Sequence, residues 1–338
     1  MRSYAGIDLH SSNNYTAIID EQDRRLFGKR LPNELDAVLS ALNPFRESLE
    51  GVVVESTYNW YWLVDGLQEA GYKVHLANPS AIKQYEGLKH TDDKWDSFWL
   101  AHMRRLKILP EGYIYPKEER PVRDILRRRL LFVRHRTSHI LSFQSAVTRN
   151  LSYKISAKEI KKLRKCDAGA FYKEPFLVLA AESSISIIQF LSERISQIEK
   201  AVMGRVKLRP EFEYLQTVPG IGKILGLTIM LEVGDIGRFS EVGDYSSYCR
   251  CVKSDRESNN KKKGEGNRKN GNKYLGWAYV EAANFAIRHY AEARSFYQRK
   301  KSTTNGIVGI KALSNKLARA SYYVMRDQVP YNENHLFR

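Results

Sequence analysis

The run YAGIDLHSSNNYTAIID (residues 4–20), with GVVVEST (51–57) and HTDDKWDS (90–97) further along, decides how the N-terminal part of this chain folds. Apolar and polar residues alternate from Tyr4 to Asp20, a polar turn follows at residues 21–25, and LFGKRL continues the alternation, so the opening is predicted as a hairpin of strands. Residues 34–48 carry an amphipathic helical pattern, and Val52, Val53 and Val54 form a short buried strand that ends at Glu55. WYWLVDGLQEAG reads as a helix closed by Gly71, and YKVHLAN as a strand ending at Asn78-Pro79. Residues 92–106 then return to helix, giving the order βββαβαβα of a mixed α/β domain.

Four acids stand out in this frame. Asp8 and Glu55 each follow an apolar run that ought to be buried, whereas isolated carboxylates avoid burial. Asp93 and Asp96, three residues apart, would share one helix face; Asp92 and Asp96, four apart, would do so equally. Four clustered carboxylates repel by several kcal/mol unless cations neutralise them. Oxygen ligands of this kind select Mg²⁺ or Mn²⁺, and a pair of such ions can stabilise both the attacking and the leaving oxygen of a phosphodiester. Asp93 and Asp96 alone would read as ordinary turn or cap residues, a reading that weakens for Asp8 and Glu55 because each follows an apolar run. A strand ending in Asp also opens actin-like ATPases. Their second, glycine-dense phosphate loop has no counterpart here, and neither does a Walker-type Gly-Lys-Ser/Thr, so no nucleotide cofactor is expected.

The rest of the chain is basic and largely helical. Its 55 Lys and Arg against 38 Asp and Glu give a formal net charge of +17, which calls for a polyanionic partner, nucleic acid first. At 338 residues two or three domains are expected. RPVRDILRRRLLFVRHRTSHILSFQSAVTRNL predicts a long helix with one basic face, on which Arg127, Arg128, Arg129, Arg134 and Arg136 are candidate backbone contacts to RNA or DNA. A second long helix, roughly 185–206, would pair with it as a coiled-coil-like arm. Val218-Pro219-Gly220-Ile221-Gly222, followed by Lys223, has the composition of the turn in a helix-hairpin-helix, which offers backbone N–H groups to a phosphate. SDRESNNKKKGEGNRKNGNKYLG is too polar to bury and reads as a loop, with Lys261, Lys262, Lys263, Arg268 and Lys269 available to phosphates.

Cys166, Cys249 and Cys251 are too few and too poorly spaced for a disulfide framework or a zinc site, and small buried side chains are the simpler reading of Cys249 and Cys251. That usage fits a reducing cytoplasm. No signal pattern is evident, and no sequence stretch reads as a membrane span.

With these residues in view, the sequence resembles the DEDD transposases of the IS-one-ten class of bacterial insertion sequences, bridge-RNA-guided recombinases related to the Piv DNA invertases. GIDLH, VVVEST and NPSAIKQYEGLKHTDDKWDS are similar to that family's RuvC-like N-terminal domain, with Asp8, Glu55, Asp93 and Asp96 at its four acids. LQTVPGIGKILGLTIMLEVGDIGRF and KNGNKYL are similar to its C-terminal transposase domain. The resemblance implies an α/β RNase H-like (RuvC-like) catalytic domain over residues 1–119, a helical or coiled-coil region over 120–208, and a mainly helical domain with helix-hairpin-helix over 209–338. It further implies a nucleophilic serine in the polar loop. Ser258 in RESNNKKKG is the best match and Ser254 the alternative, although Asn259 stands where the family has glycine and Lys253 where it has proline. Donor and target double-stranded DNA, a guide (bridge) RNA and a homodimer or homotetramer are the implied partners, and a nucleoid-associated cytoplasmic protein the implied setting. A RuvC-like nuclease or junction resolvase using water, and a nucleic-acid binder without catalysis, are the competing classes.

Overall fold

The computed structural model describes residues 2–82, 92–205, 209–253, 255–258, 261–265 and 270–332. The chain divides into two compact units, residues 1–117 with 254–270, and residues 118–253 with 271–338.

In the first unit, Tyr4–Asp20 splits into two strands, β1 (Ser3–Leu9) and β2 (Asn13–Asp20), and β3 (Arg25–Pro32) completes a meander. Helix α1 (Leu35–Leu42) leads to β4 (Leu49–Glu55), α2 (Tyr61–Glu69), β5 (Val74–Ala77) and α3 (Asp93–Arg105). The order is the expected βββαβαβα. Helix α1 is shorter than its apolar pattern: Asn43 keeps helical geometry, but Pro44 has no N–H to donate back into the helix, and one turn of 3₁₀ helix finishes the segment. Gly71 takes φ +84°, as a helix-ending glycine should.

The sheet order is β3-β2-β1-β4-β5, with β1, β2 and β3 antiparallel and β1, β4 and β5 parallel. Alternation assigns its faces. Ala5, Ile7, Leu9, Val52 and Val54 pack with Val38, Leu42, Leu63 and Leu67 of α1 and α2. The opposite face carries Gly6, Asp8, Val53 and Glu55, and α3 lies across it through Phe98, Leu100, Ala101 and Met103. Gly6 sets the depth of that contact. A Cβ there would stand 2.1 Å from the Ser97 carbonyl oxygen and 2.8 Å from the Ala101 nitrogen, both rigid backbone. We expect Gly6→Ala to cost about 3 kcal/mol in thermal unfolding through overpacking. It should also weaken Mn²⁺ binding measured by calorimetry, because displacing α3 carries Asp93 and Asp96 away from Asp8.

In the second unit, α4 (Arg120–Leu151) spans the predicted long helix. Short α5 (Ala157–Ile160) and α6 (Ala168–Phe171) turn the chain back into α7 (Pro175–Arg205), which begins ten residues before the expected start. Pro175 occupies the first helical position, where its missing N–H costs nothing, and the Glu174 carboxylate accepts from the Leu177 N–H. Helices α4 and α7 run antiparallel, with Arg129 paired to Glu199, Arg136 bonded to Ser192, and Ile140 and Phe143 packed in one cluster with Ala181, Ile185 and Ile188. Contrary to the sequence expectation, residues 175–204 are long and apolar enough to cross a membrane by length and composition. Phe176, Leu179, Ile187 and Phe190 are exposed along it.

The main core of this unit gathers α8 (Pro210–Leu215), α9 (Lys223–Val233), α10 (Val242–Tyr248), α11 (Lys273–His289), α12 (Ala291–Thr303) and α13 (Gly306–Asp327). Gly220, at φ +82°, presses on α11, and a Cβ would meet the Ala282 carbonyl oxygen at 2.0 Å. Cys249 and Cys251 are buried in this core and Cys166 is exposed. Glu232, almost fully buried, accepts from Arg123 (3.1 Å), Arg127 (2.5 and 2.7 Å) and Asn272 (2.7 Å). Asn272 also caps α11 by accepting from the Tyr274 and Leu275 N–H groups, and its own N–H donates to the Tyr248 carbonyl at 2.6 Å. Part of the polar stretch read as loop is in fact a two-stranded ladder, β6 (Asp255–Ser258) with β7 (Lys261–Glu265). Backbone hydrogen bonds close such a hairpin without an apolar face.

Candidate active site

Parallel pairing aligns Ile7 with Val54, which brings Asp8 and Glu55 side by side on the face covered by α3. Asp92 is the N-cap of α3, its carboxylate accepting from the Trp95 N–H at 2.7 Å, so Asp93 and Asp96 occupy the first helical turn. At the far end of α3, His102 (2.8 Å) and Arg105 grip Asp23. The structure thus brings together all four acids named from sequence.

Their acidities record the crowding. Burial, then the hydrogen bond and charge of Asp8, then the charge of Asp96 push the Glu55 carboxyl up to about 8. Asp96 is pushed up to about 6 by burial and by the charges of Asp8, Asp93 and Asp92. Asp93 behaves oppositely: burial acts to raise it, but the Arg30 hydrogen bond and the His10 charge outweigh that and hold it below the ordinary range.

Two neighbours of the acids escaped the sequence reading. His10 Nε2 lies 3.2 Å from Asp8 Oδ2 and 3.1 Å from Asp93 Oδ1, without well-directed hydrogen-bond geometry to either. Arg30 donates to Asp93 at 2.5 Å. Strand register was the missing signal for Arg30: Asp8 opposes Tyr15, and Tyr15 opposes Arg30, so all three share one row across the sheet.

The donor set fits a hard divalent cation. Ligand atoms of Asp8, His10 and Asp93 lie within 4.8 Å of one another, and buried Asp96 Oδ1 has no hydrogen-bond partner among the described residues. A pH test follows. Glu55 and Asp96 have raised folded-state values, so their contribution to stability is complete below about pH 4 and is lost as pH rises through about 6 and about 8. In a chelator, the melting temperature should fall from pH 5 to pH 8.5. Mn²⁺ should restore progressively more of it as pH rises, as ligands that must shed protons require.

The basic candidates fare differently. Arg127 was expected on a free basic face; instead it is committed to Glu232 and stacks on Tyr274 at 4.2 Å. Arg129 and Arg136 are likewise engaged within the helical pair. Arg128 and Arg134 are exposed and line a cavity of about 350 Å³ with Lys273 and Tyr274. Gly220 is explained by its contact with α11. Gly222 caps and Lys223 opens α9, and among the described residues nothing lies within 4 Å of where a Gly222 Cβ would stand. Ser258 closes β6, and Lys261, Lys262 and Lys263 belong to β7. Ser254, Arg268 and Lys269 lie outside the described residues.

A family model described as a DEDD transposase matches residues 5–150, and that of the transposase IS116/IS110/IS902 family matches residues 212–298. The transposase for insertion sequence element IS1111A of Coxiella burnetii is 23% identical over 290 residues, covering 81% of this chain and 76% of that protein. A 44.8 kDa protein of insertion element IS116 from Streptomyces clavuligerus is 23% identical over 123 residues, covering 36% of this chain and 30% of its own length. The DEDD type suggests use of a divalent metal. The two matched segments account for both the acid-bearing N-terminal part and the helical C-terminal part, and the chain belongs to the IS110 class of DEDD transposases.

Proposed function

We propose that this transposase is an RNA-guided recombinase that cuts and rejoins DNA with two elements, a four-acid metal site and a nucleophilic serine. The observation that carries the first element is the convergence of Asp8, Glu55, Asp93 and Asp96, with two carboxyls strongly raised and one oxygen orphaned. The sheet order β3-β2-β1-β4-β5 supports an RNase H-like domain over residues 1–119, followed by a helical region over 120–208 and a transposase domain over 209–338. Mg²⁺ or Mn²⁺ bound by the four acids would neutralise them and polarise phosphoryl oxygens. Arg30 orients Asp93 by its hydrogen bond, and Arg30 and the His10 charge keep it ionised.

Ser258 is the second element. Attack of its hydroxyl on a DNA phosphodiester forms a serine–phosphate bond and frees one strand hydroxyl. Return attack by another strand's hydroxyl restores the serine, so joining consumes no nucleotide. Residues 254–270 belong to the same compact unit as the four acids, which supports a shared reaction centre. Gly222 and Lys223 at the start of α9, in the helix-hairpin-helix reading, would take backbone phosphates, as would Arg128 and Arg134. Phe176, Leu179, Ile187 and Phe190 on one face of α7 support a homodimer or homotetramer. The guide RNA rests on family membership.

Denaturing electrophoresis of protein with labelled DNA, guide RNA and Mg²⁺ tests the serine. Wild type should give a covalent protein–DNA adduct that Ser258→Ala loses and Ser254→Ala keeps. Strand cleavage that persists in Ser258→Ala without any adduct would instead establish a water-using nuclease.

A further inference from the structure

From Arg294 to Arg326 the sequence contains eight Lys and Arg and no Asp or Glu. Folding concentrates part of this charge where α12 meets α13. Burial, then the charges of Arg299, Arg319 and Lys300, depress the Lys316 ammonium, so these cations lie close enough to repel. Among the described residues no carboxylate pairs with Arg299, Lys300 or Arg319. Beside them opens a cavity of about 410 Å³, lined by Lys316, Arg319, Tyr323, Val324, Val329 and Tyr331. Tyr323 is 41% exposed and Val329 47%. Most of this wall lies on α13 and the segment after it, beyond the family-matched residues 212–298.

A duplex backbone would use the cations but leave the aromatic and apolar wall idle. An unpaired nucleotide uses both, because single-strand sites combine cations along the backbone with aromatic surfaces for the bases. The volume lies in the roughly 300–1,000 Å³ range of small-ligand pockets. We propose that this cavity binds an unpaired nucleotide of a single-stranded nucleic acid, the base against Tyr323 and Val329 and the phosphate on Lys316 and Arg319. Neither contact depends on the sugar, so ribo- and deoxyribonucleotides are both accepted.

The test is photocross-linking of the whole chain to a hexanucleotide carrying one 4-thiouridine, without divalent cation, followed by peptide mapping. The absence of metal separates this outcome from the fate of the catalytic proposal. An adduct is expected on the peptides that hold Tyr323 or Tyr331. Unlabelled single strands of either sugar should compete, and a blunt hairpin duplex should not. Competition by one sugar alone would overturn the sugar tolerance while upholding the cavity. Tyr323→Ala should lower adduct yield roughly tenfold, and Arg319→Ala, at an exposed position, should flatten its log–log salt dependence by about 0.7. Adducts mapping only elsewhere, equal competition by duplex, or an unchanged yield in a Tyr323→Ala chain that melts normally would each overturn the assignment. If Tyr323→Ala fails to fold, Arg319→Ala decides alone: an unchanged yield and salt slope sink the proposal.

Discussion

Asp8→Asn should abolish strand cleavage and joining by on the order of 10³-fold or more, while leaving DNA binding intact and the metal-free protein at least as stable as wild type. The two halves of this result have one cause. Asp8 is almost fully buried on the face shared by Glu55 and Asp96, and its charge raises the pKa of both. Asparagine keeps the volume and a hydrogen bond to Glu55 but removes the repulsion. Activity and stability therefore move apart, as they do where a site is arranged for function at the expense of the fold. Calorimetric melting in chelator, beside a recombination assay on the same preparation, makes the comparison. A variant that loses both activity and stability would mark Asp8 as a structural residue. One that loses neither would show that cleavage and joining do not need the Asp8 carboxylate, and would overturn the four-acid site.

The second large effect lies at Glu232. Its carboxylate is buried between Arg123 and Arg127, also accepts from Asn272, and is held below the ordinary range by those contacts against the opposing pull of burial. Removing one member of a buried ion cluster costs far more than the cluster contributes, because the remaining charges keep their desolvation penalty. Glu232→Ala is expected to destabilise the chain by about 3–5 kcal/mol in urea unfolding. Glu232→Gln, which keeps an acceptor for Asn272, should lose less. An unchanged midpoint in Glu232→Ala would show that the guanidiniums find water or another acceptor.

Legibility followed the range of the interaction that decides each feature. The order βββαβαβα was readable because alternation and turn residues act within a few positions. Asp8 and Glu55 stood out because each charge ends an apolar run, whereas Asp93 and Asp96 were named from their helical spacing and the family resemblance. The early start of α7 was missed because Pro175 looks like a break when its neighbours are unknown, although at a first helical turn it is a start. Arg127 was misread for a deeper reason: its partner Glu232 lies 105 residues away, and nothing near Arg127 distinguishes it from exposed Arg128. Arg30 joined the site only through the register of three strands. The β6–β7 ladder left no apolar signature to read.

The stem between Tyr248 and Asn272 has a last consequence. The Asn272 N–H bonds the Tyr248 carbonyl, Arg250 Nε bonds the Gly271 carbonyl at 3.1 Å, and a Cβ on Gly271 would stand 2.5 Å from the Tyr248 oxygen. These contacts fasten the two ends of residues 249–271 to each other independently of what lies between. Doubling the length of a loop already closed in this way costs only about 0.6 kcal/mol. The segment bearing Ser258 is thus an exchangeable cassette: insertions, deletions and wholesale replacement there can be sampled by evolution, or by an engineer grafting one element's loop onto another, without asking the helical core to change.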